Sequence, residues 1–82
     1  MNDQELNRTY CYAGQAETRI DRMMIEGTFC KASVREVLAS YSLEIILHIQ
    51  DAFSRRDITT GDVQRVQEWI GEEIERCRSE RT

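Results

Sequence analysis

The sequence predicts an all-α domain of three helices with the middle one longest. Three observations carry this. There is no proline and there are only four glycines in 82 residues. Apolar residues recur at steps of three and four along most of the chain. Only two short stretches, 28–32 and 57–61, interrupt that recurrence, which suits long helices and not a sheet of many turns. Eighty-two residues make one domain, near the size at which a second copy helps complete a core.

The segment Ser33 to Arg56 organises the rest. Ser33 followed by Glu36 reads as a capping box, with Ala32 and Val37 in the staple positions around it. Val34, Leu38, Tyr41, Ile45, Ile49 and Ala52 then share one helical face, flanked by Val37, His48 and Phe53. At about 100° per residue, Leu43 and Leu47 point nearly the opposite way, and with Ala39 and Ile46 they form a second seam. A helix apolar on two sides must be covered on two sides. Two leucines left in water forgo about 1.5–3 kcal/mol each, a large loss for a small domain. The seam Ala39, Leu43, Ile46 and Leu47 is therefore expected to be a subunit interface, and the chain a homodimer.

Ahead of it, a first helix is expected over about 5–26, with Leu6, Tyr10, Ala13, Ala16, Ile20, Met23 and Met24 inward. Gly14 costs about 1 kcal/mol there against alanine, so the segment reads either as one helix or as two collinear pieces with a break or kink at that glycine. Gly27 reads as the C-terminal stop. In the connection Thr28–Ala32, Phe29 is the apolar residue expected to plug the end of the core. The second connection, Asp57–Gly61, offers Thr59 or Thr60 as a cap, with Asp62 favourable to the helix dipole. A third helix follows over about 61–78, with Val63, Val66, Ile70, Ile74 and Cys77 inward and Trp69 at the edge. Glu72 and Arg76 form an expected i,i+4 pair on its outside.

Net charge is −4, and ten of the eleven cationic residues are arginine. Base composition of the gene explains that bias most simply, although arginine's planar fork also suits interface carboxylates and phosphates. Overall acidity argues against a sequence-independent nucleic-acid coat. Cys11, Cys30 and Cys77 match no metal or disulfide framework, so they read as reduced thiols in a cytoplasmic protein. No charged-then-apolar leader and no run of eighteen apolar residues is present, so no membrane contact is expected. No cofactor, metal or small-molecule substrate is expected either.

Single residues each have a plain explanation. His48, the lone histidine, reads as a buried or half-buried structural residue, since a triad needs partners the sequence does not place. Cys30 lies at a helix start beside Lys31, which favours a thiolate, yet a packed inert thiol is the simpler account. Glu68, Glu72, Glu73 and Glu75 crowd the last helix as a solvated face with salt bridges to Arg76 and Arg78. Glu68, Glu72 and Glu75 would also make an acidic docking face for a basic partner. Arg55 and Arg56 close the long helix, with Arg65 near if the loop folds back; charge at a helix C-terminus explains them, and phosphate contact is the functional alternative.

The run Ala52, Arg55, Arg56, Ile58, Thr59, Thr60, Asp62 and Val63, at the exit of a long helix, resembles the second loop of the histone fold. The resemblance covers about a dozen residues. It implies a handshake dimer with Arg55 and Arg56 near paired loops; net acidity and a long third helix depart from it. The function expected is that of a small helical regulator or adaptor acting by protein–protein contact, for example an inhibitor encoded by a mobile element. The alternative is a DNA-associated regulator, histone-fold-like or helix-turn-helix, touching phosphates through Arg55 and Arg56. An enzyme is not expected, because a bundle this small has little room for an ordinary pocket.

Overall fold

A computed structural model describes residues 3–56 and 61–81, the side chains of 3, 5, 6 and 81 excepted. The expectation for Leu6 and the caps at Thr59 and Thr60 therefore lie outside the described residues. Among the described residues the architecture is all-α, as the periodicity predicts, but they form four helices where three are expected: α1 (Asp3–Glu26), α2 (Lys31–Ala39), α3 (Leu43–Ser54) and α4 (Gly61–Arg81). α3 packs on both α1 and α4, while α2 bridges α4 and α1.

Of the two arrangements the sequence leaves open, the structure has one: α1 runs unbroken through Gly14, which is exposed. The helix stops where predicted. Gly27 adopts a left-handed φ of 79°, and the Thr28 N–H donates to the Met23 carbonyl at 3.0 Å. That six-residue closure satisfies a terminal carbonyl and requires a conformation that glycine reaches without a Cβ clash. Phe29 then packs against the core with its ring 5.0 Å from Trp69, which is the plug expected of it.

The long central helix is corrected to two helices separated by Ser40–Ser42. α2 ends in a tightened turn, Ser40 N–H to Val37 O at 3.2 Å and Tyr41 N–H to Leu38 O at 3.1 Å. Ser42 turns extended, and its hydroxyl accepts the Ile45 N–H at 3.5 Å as the cap of α3, with Glu44 in the first turn. Serines favour such ends because they offer the backbone a competing partner. The capping box at Ser33 and Glu36 is absent: Cys30 takes the N-cap position, and Ser33 lies one turn inside α2.

Packing explains the break. In one continuous helix, Ile46 would point about 120° away from Val34. With the chain bent between them, Val34, Val37 and Leu38 of α2 join Ile46, Ile49 and Phe53 of α3 in one core, each at most 1% exposed. Ala13, Ala16 and Ile20 supply the α1 side, and Val66, Ile70 and Ile74 the α4 side. Of the expected second seam, Ile46 is thus folded into the chain's own interior and Leu43 packs partly against it, while Ala39 and Leu47 stay exposed, and the unbroken helix that the histone-fold resemblance implies is not there.

Candidate interaction surface

Once the core is closed, α3 still presents an outward face. Glu44, Leu47, Asp51 and Arg55 are exposed on it, with His48 half-buried among them. Leu47 is 37% exposed, and across the α1 border Tyr10 is 56% exposed. The Tyr10 ring meets His48 edge-on, centroids 5.0 Å apart and planes at 66°, the geometry that ring quadrupoles favour. His48, expected from sequence to be buried or half-buried, is half-buried and braced by an exposed tyrosine. Asp51 and Arg55 pair along the helix at 2.8 Å. On the α4 side the face falls into an open recess of about 500 Å³ between Leu47, Gln50, Asp51, Ser54 and Gln67.

The four residues of the expected seam do not make one patch. Ile46 is fully buried, Leu43 packs partly against the core, and only Ala39 and Leu47 are exposed. The interface assignment is corrected accordingly, because the bend at Ser40–Ser42 separates Ala39 from α3 and turns Ile46 inward.

The expected arginine cluster is likewise dispersed among acids. Arg55 pairs with Asp51, and Arg65 with Asp62 at 3.5 Å. Arg56 reaches from the end of α3 to α1, where its fork donates to both Asp21 oxygens at 2.6 and 2.8 Å and to Glu17, its Nε at 3.1 Å. Its guanidinium also lies 4.3 Å over the Phe53 ring. The hydrogen bonds to Asp21, and after them those to Glu17, hold the Arg56 pKa above the ordinary arginine value even though burial opposes the charge.

On α4, Glu68, Glu72 and Glu75 are exposed as the acidic-face reading requires. Glu72, however, pairs with Lys31 of α2 at 2.9 Å instead of with Arg76. Arg76 is taken by Glu73, and by Glu80 at 2.6 Å. Glu73 is the residue that sequence reasoning misses: it is 2% exposed, and Arg35 approaches its far oxygen at 3.8 Å. Its place was readable, since it stands three after Ile70 and seven after Val66, inside the buried stripe. These groups border an open recess of about 340 Å³ between α2 and α4, with Ala32, Glu36 and Ala39 on its other side. Its Glu73, Arg35 and Arg76 are engaged with one another, so they serve packing before they serve a ligand.

Cys11 and Cys30 are exposed and Cys77 is half-buried, all as free thiols. Cys30 Sγ lies 3.2 Å from the Ser33 hydroxyl. That bond, followed by the Ser33 N–H, lowers the thiol's pKa. Among the described residues, no group of three or more histidine, cysteine or carboxylate side chains is arranged to hold a metal ion, and no helix is long and apolar enough to cross a membrane. Cys30 should be alkylated by iodoacetamide before Cys11 and Cys77, with its advantage largest below the ordinary thiol pKa, and Ser33→Ala should reduce that advantage severalfold. Peptide mapping of a time course reads both effects; equal labelling of Cys11 and Cys30 would contradict them.

Compared with family models, with curated proteins and with solved structures, the chain matches none.

Proposed function

We propose that the chain is a small helical regulator or adaptor that works by protein–protein contact, through the outward face of α3 and the adjoining Tyr10. One observation carries the reading: two large apolar side chains, Tyr10 and Leu47, remain in water on either side of His48 although the core beneath them is closed. Singly exposed apolar residues are ordinary. Here they border the two edges of one helix face whose middle line carries Glu44, Asp51 and Arg55. Tyrosine suits such a border, since it carries a large rigid surface and a polar tip.

The nucleic-acid alternative has less behind it. It relies on Arg55 and Arg56, and Arg56 is already held between Asp21 and Glu17.

Affinity capture with the wild type and with a Tyr10→Ser/Leu47→Asp variant tests the contact reading. Circular dichroism should show both folded, and the variant should lose the captured protein by about tenfold or more. Equal capture by both would reject this face as the contact surface.

A further inference from the structure

We propose that the partner this face fits is a second copy of the chain, docked as an antiparallel pair of α3 helices. The twofold axis would pass between the levels of Ile49 and Gln50. The inference rests on the reading of the α3 face as a contact surface and names its occupant.

Glu44, His48, Asp51 and Arg55 recur at steps of four, three and four. That is the a/d spacing with which one helix presents a continuous line to another. All four lie on the outward face, with Asp51 and Arg55 side chains 55% and 78% exposed. In an antiparallel pair the layers meet in reverse order. About the stated axis Glu44 comes level with the partner's Arg55, and His48 with the partner's Asp51. Twofold symmetry makes each contact twice, as an isologous interface requires. Carboxylate then faces guanidinium at both ends of the seam, and imidazole faces carboxylate in its middle. A slip by one heptad leaves only Asp51 facing the partner's Arg55 in one direction and only Glu44 facing the partner's His48 in the other, and each shortens the overlap. The arrangement of charge on this face is thus self-complementary in one register.

Apolar surface sits beside the same line. Leu47 borders one edge, which twofold symmetry lines with the partner's Leu47 and Ser54, and Tyr10, edge-on to His48, borders the other edge in each copy. A contact built on one helix of 12 residues is about 18 Å long, which falls short of the roughly 800 Å² per partner of a standard stable interface. The dimer is therefore of micromolar or weaker affinity, and it weakens with salt because exposed charges align it.

Sedimentation equilibrium on the full chain from about 10 µM to about 1 mM tests the proposal. The wild type should show a reversible monomer–dimer equilibrium. Glu44→Arg alone, or Arg55→Glu alone, sets like charges opposite each other twice and should lower the association constant about tenfold or more. The double variant Glu44→Arg/Arg55→Glu restores opposite charge and should recover it to within about threefold of wild type. Thermal melts accompany each variant. Should a single variant fold poorly, nuclear magnetic resonance of the wild type on dilution gives the same answer, with shifts concentrated at Leu47, His48, Asp51 and Tyr10. A wild type monomeric throughout, a double variant no better than the singles, or dilution shifts confined elsewhere would overturn the proposal. If such a monomer still loses a captured protein on Tyr10→Ser/Leu47→Asp, the contact surface stands and only the second copy is rejected; if capture is also unaffected, both are rejected.

Discussion

Replacing Ile46 by aspartate should unfold the chain at room temperature, while the same replacement at Leu47, the next residue along, should leave it folded. Ile46 is 0% exposed and Leu47 37%. Deleting a buried isoleucine side chain costs about 2–5 kcal/mol. Leaving a carboxylate in its place adds several more, or forces the acid to take up a proton. A domain of this length has about 4–12 kcal/mol in all, so the sum takes most or all of it. At Leu47 the aspartate stays in water beside Gln50 and Ser54, and the cost is about 1 kcal/mol, or about 4–8 °C in a melt. Circular dichroism melts of the two variants decide the matter. Similar damage at both positions would mean that Ile46 and Leu47 share one environment, as in the single long helix read from sequence.

That contrast locates what the sequence discloses and what it conceals. The core stripes of α1 and α4 are legible because each stays in phase along one helix: Ala13, Ala16 and Ile20 in the first, Val63, Val66, Ile70 and Ile74 in the second, all at most 7% exposed. The stop at Gly27 is legible because a left-handed residue has few alternatives. The break at Ser40–Ser42 is concealed because Val34, Leu38, Tyr41, Ile45 and Ile49 keep helical steps straight across it. Two signals were present. One was the second apolar seam itself, since a helix apolar on two sides can equally be two helices that each bury one side. The other was Ser42 before an apolar run with Glu44 in the first turn, a cap written in the middle of a supposed helix.

The candidate surface was half legible. Periodicity places Leu47 off the main stripe, and it is exposed, but the companions it suggests come from a helical wheel that the bend invalidates. Tyr10, assigned to the α1 core, stands instead one position beyond the buried Thr9, at the border of that stripe. Such a placement depends on how closely α3 approaches α1, and no local pattern records that distance. The same limit applies to Arg56, whose partners Glu17 and Asp21 lie more than thirty residues away in sequence.

Arg56→Ala should cost about 2 kcal/mol of stability, which in a chain of this size lowers the melting temperature by about 8–16 °C. Its side chain is 29% exposed. The loss should therefore fall between the 3–5 kcal/mol of breaking a buried pair and the fraction of a kilocalorie typical of exposed ones. Without the guanidinium, Glu17 and Asp21 face each other one turn apart on α1 with no cation between them, and the Phe53 ring loses its cover. Arg56→Lys should recover about half, since it restores the charge but not the fork that grips both Asp21 oxygens. In about 1 M salt the gap between wild type and alanine variant should narrow. Because the folded-state pKa of Arg56 is raised, chiefly by its hydrogen bonds to Asp21, the arginine's contribution is complete below the unfolded value. It therefore does not change between about pH 6 and pH 10. The two uses of this arginine make opposite demands on the same variant. A phosphate-contacting Arg56 would be replaceable with loss of binding and little loss of stability, whereas a clasp between α3 and α1 fails first in the melt. An alanine variant that melts with the wild type would dissolve the clasp and return Arg56 to the pool of residues free to meet a ligand.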